Sequence, residues 1–327
     1  MALRGGFVET AHPIRVVAIQ HDEAHHTHTA GVSGAAAHSP WRSAGKHLQA
    51  HTALSLLPDQ GASLTDEALA IAVSSHSGQD RHLALVRGLL ERYGLDEGAL
   101  QCGAEAPIHR PTRDALMRQG LRPAPIHNDC SGKHALMLAA CVSQGWSLDY
   151  LGRDHPLQRA VAAQVAAWVG ESPGLAVDGC GVPTFYISVT GMARAWARMA
   201  TVTQDGHLCG VGDPLMQRIG VAAAAHPWLT SGDGRLDLAL SERVREPYFG
   251  KIGAGGIFCV ALPQRRMGIA LKVASGNEDA LAVATVEALR RLAPGSVAPS
   301  PGWRWAEVNN VAGQKVGWRV ATWQIRV

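Results

Sequence analysis

Ser43 and Lys46 stand three residues apart in the run Arg42-Ser43-Ala44-Gly45-Lys46, at the front of a segment with helical periodicity. That spacing puts two side chains on one helical face, so the amine of Lys46 can reach the hydroxyl of Ser43. A serine hydroxyl is a poor nucleophile until a base takes its proton. A lysine serves as that base only when burial or a second cation brings its pKa down from about 10.4. The pattern is short, and a solvated Ser and Lys would look the same. Ser74-Ser75-His76-Ser77-Gly78 follows the apolar run Ala68 to Val73, which reads as strand-like. A cluster of small polar residues there either exposes side chains in a cleft or caps the next helix.

Cys130-Ser131-Gly132-Lys133-His134 opens a helix, where backbone N–H groups and the positive dipole end favour thiolate. Asp178-Gly179-Cys180-Gly181-Val182-Pro183 brings a second thiol. Two thiolates from separate loops suit zinc, given a third protein ligand and an open position. No C-x-x-C pair is present, so buried structural cysteines are the alternative. Lys251 begins Lys251-Ile252-Gly253-Ala254-Gly255-Gly256 and leads into a strand. It is placed either to depress the pKa of Lys46 or to act as a base for Ser75.

The elements that must position these groups are legible from apolar patterning. Arg15 to Gln20 is a β-branched run and reads as a strand. Helices are expected over Ser43 to Leu57, Arg81 to Tyr93, Ser131 to Ser143, Pro156 to Val169 and Thr190 to Ala200. Gly256 to Leu262 and Met267 to Val273 read as a hairpin pair, followed by a helix from Glu278 to Leu292 and a last strand over Val316 to Trp323. Strands at both ends around a helical middle imply an α/β (α+β) fold, with a mainly antiparallel sheet built from the two chain ends and flanked by helices. The whole chain, 1–327, reads as one domain with room for two lobes: about 1–60 with 250–327 as the sheet lobe, and about 61–249 as the mainly helical one. There is no internal repeat. The His-rich stretch from His21 to Ser39 reads as a solvated loop or edge strand; its spacing matches no defined metal site.

Composition narrows the function classes. Of 327 residues, 46% are hydrophobic and 17% charged, which is globular rather than disordered. A formal net charge of +3 without a long basic run argues against nucleic acid as a partner. No run approaches the roughly 18 apolar residues of a membrane span, so no membrane partner is expected. Met1 to His12 lacks a signal-like apolar stretch, and the expected location is cytoplasmic. The six cysteines are accordingly expected as free thiols, with two available as metal ligands.

Taken in order, RGGFVE (Arg4 to Glu9), RSAGK (Arg42 to Lys46), SHSG (Ser75 to Gly78), CSGKHALML (Cys130 to Leu138), DGCGVPTF (Asp178 to Phe185) and KIGAGG (Lys251 to Gly256) resemble the bacterial L-asparaginases of the thermolabile, rhizobial type. CSGKHA and DGCGVPTF are the most specific of these, and S-x-x-K the least. The resemblance implies a fold like that of serine β-lactamases and glutaminases, and hydrolysis of L-asparagine through a serine acyl-enzyme. It implies two Ser-Lys tandems, Ser43 with Lys46 and Ser75 with Lys251. The sequence leaves either serine as the one that attacks; Ser43 is the expected one, with Ser75 relaying protons or orienting the substrate. It also implies zinc held by Cys130, Lys133 and Cys180, with Arg42 and His134 as candidates for the substrate α-carboxylate and Asp178 for its ammonium or for a place behind the ligands. Amide hydrolases of this size are often homodimers, and a homodimer is expected. Three features depart from the family pattern. His47 stands where proline is usual, Gly255 stands where a glutamate is usual, and His21 to Ser39 looks unlike the usual strand hairpin. These changes leave open a catalytically weak homologue that binds zinc or a small amino acid without turnover.

Overall fold

The computed structural model describes residues 1–33, 37–298 and 303–322. Its centre is a five-stranded antiparallel sheet in the order Phe249–Gly253, Ile257–Leu262, Met267–Val273, Ile14–His21 and Thr27–Ser33. Side chains alternate between two cores. Val17, Ile19, Cys259, Ala261 and Ala270 face the helix Val189–Asp205 and the helical middle of the chain. Val16, Ala18, Val260, Leu262, Ile269 and Leu271 face the helix Glu278–Leu292. Burial on both faces explains why GIFCVAL and MGIALKV are continuous apolar runs with no polar alternation.

Both chain ends enter sheets, as expected. Ile14–His21 pairs with Met267–Val273 from Ile14 to Gln20. A second, four-stranded sheet joins Glu307–Asn309, Lys315–Arg319, Ala2–Arg4 and Phe7–Thr10. The helices begin where their caps allow. Thr190 to Ala200 extends to Val189–Asp205 because the Ser188 hydroxyl accepts from Gly191 N–H at the start (2.9 Å) and Gly206 takes a left-handed φ of 77° at the end.

Several expectations are corrected. The run Ala68 to Val73 is not strand-like; it lies mostly in the helix Asp66–Ala72. Thr65 caps that helix through Ala68 N–H, with Asp66 and Glu67 in its first turn. The segment Ser43 to Leu57 splits into a 3-10 turn, Arg42–Gly45, and the helix Lys46–Ser55. Helices at Arg110–Arg118, Pro214–Ala225 and Leu236–Ser241 were not expected from the sequence. The last strand is Lys315–Arg319, and Trp323 lies outside the described residues. Within His21 to Ser39, Thr27–Ser33 is an edge strand paired with Ile14–His21, so this stretch does form a hairpin; residues 34–36 lie outside the described residues.

Gly268 sets how closely the main helix lies on the sheet. A Cβ there would sit 2.1 Å from Ala197 N and 2.5 Å from Ala193 O, both helix backbone atoms. Gly268→Ala is therefore expected to push Val189–Asp205 off the sheet and lower unfolding stability by about 1–3 kcal/mol, the usual cost of overpacking. A urea titration measures this, and an unchanged midpoint would mean that helix and sheet separate freely.

Candidate active site

The turn carrying Ser43 is held from two sides. Trp41 N–H donates to Phe185 O (2.8 Å) and Arg42 N–H to Thr184 Oγ1 (3.1 Å), which ties RSAGK to DGCGVPTF. Arg42 itself adopts a left-handed φ of 54°, a strained state for a residue with a side chain. On the opposite side lies Gly253, where a Cβ would meet Trp41 O at 2.7 Å. That close approach brings the strand of Lys251 against the Ser43 turn.

Ser43 is half-buried and lines a cleft of about 420 Å³. Arg42, Glu105, Asp129, Cys130, Asp178 and Cys180 also line it. The Ser43 hydroxyl makes no hydrogen bond among the described residues. Lys46, only 1% exposed, turns inward. Its Nζ donates to Ser75 Oγ (2.9 Å) and to Ser74 O (2.5 Å). A buried ammonium needs acceptors, and the Ser74–Ser75 segment supplies two of them. The closest Ser-Lys contact therefore joins Lys46 to Ser75.

Lys251 is fully buried on Phe249–Gly253. Its Nζ donates to Ile252 O (3.1 Å) and lies 3.9 Å from Asp237 Oδ1. Burial brings its pKa down to about 8; Asp237 opposes that shift, while the like charges of Lys46 and Arg235 add to it. No hydrogen bond joins Lys251 to Ser75 among the described residues.

The loop carrying Ser75 is locked by main chain and by His76. Ser75 N–H donates to Thr230 O and His76 N–H to Asp129 O. Gly78 N–H donates to His76 Nδ1 (3.2 Å), so the ring proton lies on Nε2 and is given to Ser131 Oγ (2.8 Å). Ser131 Oγ in turn donates a hydrogen bond to Ile126 O (2.9 Å). Burial first, then the neighbouring His82, lowers the His76 pKa to about 3, and the ring stays neutral.

Asp129 was missed in the sequence, although it directly precedes Cys130. Burial works against its charge, but Lys46, a hydrogen bond with Cys130 and then Lys251 hold its carboxyl down at about 2. It makes one wall of the cleft anionic, with Glu105 close by. Asp178, by contrast, is already engaged: its Oδ1 accepts from Arg42 Nε (2.7 Å) and from Gly179 N–H (2.7 Å). His134 is fully buried, with Nδ1 2.6 Å from the Tyr150 hydroxyl, and does not line the cleft.

The thiols converge. Cys130, Lys133 and Cys180 are all buried, and Lys133 Nζ lies 3.2 Å from Cys180 Sγ. A hydrogen bond from Cys130 drives the Cys180 thiol far below the usual thiol range, against burial and with help from Lys133. The same hydrogen bond and burial raise Cys130. Burial would lower the Lys133 amine, but the Cys180 thiolate beside it outweighs that and raises it. One thiolate, one thiol and an amine at the cleft edge are a donor set that fits zinc, provided that Lys133 and Cys130 give up their protons. Among the described residues no group of three or more His, Cys, Asp or Glu side chains is arranged to hold a metal. All six cysteines are free.

The two substituted positions are accommodated. His47 is buried against Trp196 and Phe249, with both ring nitrogens unpaired. Burial, then Lys251 and Lys46, keep it neutral, with a pKa near 3. Gly255 takes a left-handed φ of 82° at a turn that faces open space. The carboxylate beside Lys251 comes from Asp237.

A profile of the L-asparaginase II family matches residues 1–320. The chain belongs to that family. It is accordingly an amidohydrolase, and the cleft with its serines and buried lysines is the candidate place for that chemistry. No curated protein matches the chain. Among solved structures it is similar to SurE with D-Leu, at a TM-score of 0.45 and 13% identity over 95% of this chain and 83% of that one. It is also similar to a β-lactamase from Mycobacterium bovis, at 0.42 and 14% over 85% and 94%. A D-alanine carboxypeptidase AmpC from Burkholderia cenocepacia gives 0.38 and 11% over 85% and 92%. Scores this low say nothing about shared chemistry. Among the described residues no helix is long and apolar enough to cross a membrane.

The His76–Ser131 bond carries a testable cost. Ser131→Ala leaves a buried ring N–H without an acceptor, and unfolding stability is expected to fall by about 1–3 kcal/mol. Chemical denaturation checks this; a loss well under 1 kcal/mol would mean that the bond does not hold the Ser75 loop.

Proposed function

We propose that the protein hydrolyses the side-chain amide of L-asparagine to aspartate and ammonia, through an ester on Ser43. The observation that carries this is the pair of buried lysines, Lys46 and Lys251, behind a half-buried serine at the edge of a small polar cleft. Ser43 is the hydroxyl that a cleft-bound amide meets, because Ser75 is 2% exposed and already held by Lys46. The Ser43 oxygen attacks the amide carbon, and its proton passes to the amine of the lysine pair. The C–N bond then breaks as that proton is returned to the leaving nitrogen, which departs as ammonia. Water attacks the aspartyl ester with the same base, releasing aspartate and restoring Ser43. Ser75, bound to Lys46, orients that amine and relays the proton.

Substrate charge is matched by the cleft walls. The Arg42 guanidinium, oriented by Asp178, suits the α-carboxylate, and Asp129 with Glu105 suits the α-ammonium. His134 is buried behind this surface, with its Nδ1 on the Tyr150 hydroxyl. Zinc belongs to the same proposal, held by Cys130, Lys133 and Cys180. When bound it supplies a fixed positive charge and an open coordination position at the cleft edge.

Ammonia release from L-asparagine, compared with L-glutamine, tests the reaction. Ser43→Ala and Lys46→Met are each expected to lower kcat by on the order of 10³ or more. Because the base must be neutral, kcat/KM is expected to rise with pH through an apparent pKa near 8, the value of Lys251. No ammonia from folded protein supplied with zinc would overturn the proposal in favour of a weak homologue that binds without turnover.

Metal analysis after dialysis tests the ligand set separately. The parent is expected to keep zinc and Cys180→Ser to lose it, with occupancy falling in acid as Lys133 and Cys130 regain their protons. Equal retention by both proteins would remove Cys180 from the ligands.

A further inference from the structure

We propose that Asp237 is the positioning residue of Lys251, fixing both the place of its amine and the charge it carries. The proposal rests on Lys251 acting as part of the base. Asp237 is 4% exposed and sits on the short helix Leu236–Ser241. Its Oδ1 accepts the Ile252 N–H (2.8 Å) and stands 3.9 Å from Lys251 Nζ, while that same Nζ donates to Ile252 O (3.1 Å). One carboxylate oxygen thus pins the residue whose carbonyl holds the amine.

Pinning a backbone N–H does not require a charge. Asparagine would offer the same acceptor oxygen without burying an anion, which is costly unless the anion is paired. Asp237 Oδ2 has no hydrogen-bond partner among the described residues, so the backbone contact alone does not account for an ionised group here. Lys251 does. The charged groups acting on its amine are Asp237, Lys46, Arg235 and Asp129, and the His47 ring beside it is neutral. Of these, Asp237 makes the one ion pair of Lys251 among the described residues. Tyr248, buried close to Asp237, is raised by burial and by that carboxylate and stays a neutral phenol. Gly255 cannot substitute for Asp237, since it has no side chain.

The test is the pH dependence of kcat/KM for asparagine in Asp237→Asn. This variant keeps the Ile252 contact and removes the charge. Its acid limb is expected to move to lower pH by about one to three units, the effect of an opposite charge within roughly 4–6 Å. Asp237→Glu is expected to move the limb back toward the parent value. An acid limb at the parent position in folded Asp237→Asn overturns the proposal. Should Asp237→Asn not fold, Asp237→Ser supplies a second uncharged acceptor. If neither folds while Lys251→Met does, Asp237 serves the fold alone and the proposal fails. Lys251→Met separates the two levels: parent-like activity there removes Lys251 from the base. An inactive Lys251→Met beside an unshifted Asp237→Asn removes only the role of Asp237.

Discussion

Two ammonium groups are buried within reach of each other's field, and most of the site follows from keeping them there. Lys46 gives its amine to Ser74 O and Ser75 Oγ, and Lys251 gives its amine to Ile252 O, with Asp237 at 3.9 Å. A single buried cation needs acceptors and an anion; two of them also need a scaffold that resists their repulsion. That scaffold is the central sheet and the helix packed on Gly268, which carry Lys251 on one side and, through the Trp196 Nε1 contact with Ala44 O, the Ser43–Lys46 turn on the other. Asp129 offsets part of the positive charge from across the cleft.

Much of this architecture was legible because it rests on local pattern. GIFCVAL, MGIALKV and the helices near 81–93, 131–143, 156–169 and 278–292 declare themselves by apolar period and length. Ala68 to Val73 misled for the opposite reason. A six-residue apolar run carries no period, and only the capping Thr65 and the acids after it point to a helix. The site residues were legible as a set but not as pairs. Spacing of three joins Ser43 to Lys46 on paper, yet a long side chain goes where its charge can be satisfied, and here that is a loop 29 residues away. Asp129 and Asp237 left no motif at all. Each is a lone acid whose meaning comes from the cation that folding brings to it.

The two substituted positions illustrate how such a site tolerates change. His47 is buried against two aromatic rings and feels both lysines. Protonating it would add a third charge there, and burial together with those lysines prevents that. Its neutral ring then acts as packing against Trp196 and Phe249, at the cost of two unpaired nitrogens. Gly255 loses whatever a side chain would have offered, but its left-handed φ of 82° suits a glycine and keeps the turn between Lys251 and the strand Ile257–Leu262 tight.

The thiol site and the lysine pair are coupled through a single step in the chain. Asp129 answers to Lys46 and Lys251, while the next residue, Cys130, hydrogen-bonds Cys180. The His76 N–H donates to Asp129 O, so the loop of Ser75 and the loop of Cys130 share one main-chain bond. A shift of either loop therefore moves an anion that both cationic centres feel. The neutral His76 ring, braced on Ser131, limits that shift without adding charge of its own. Rigidity here is an electrostatic requirement: two buried lysines can share a pocket only if the surrounding carboxylates stay where they are.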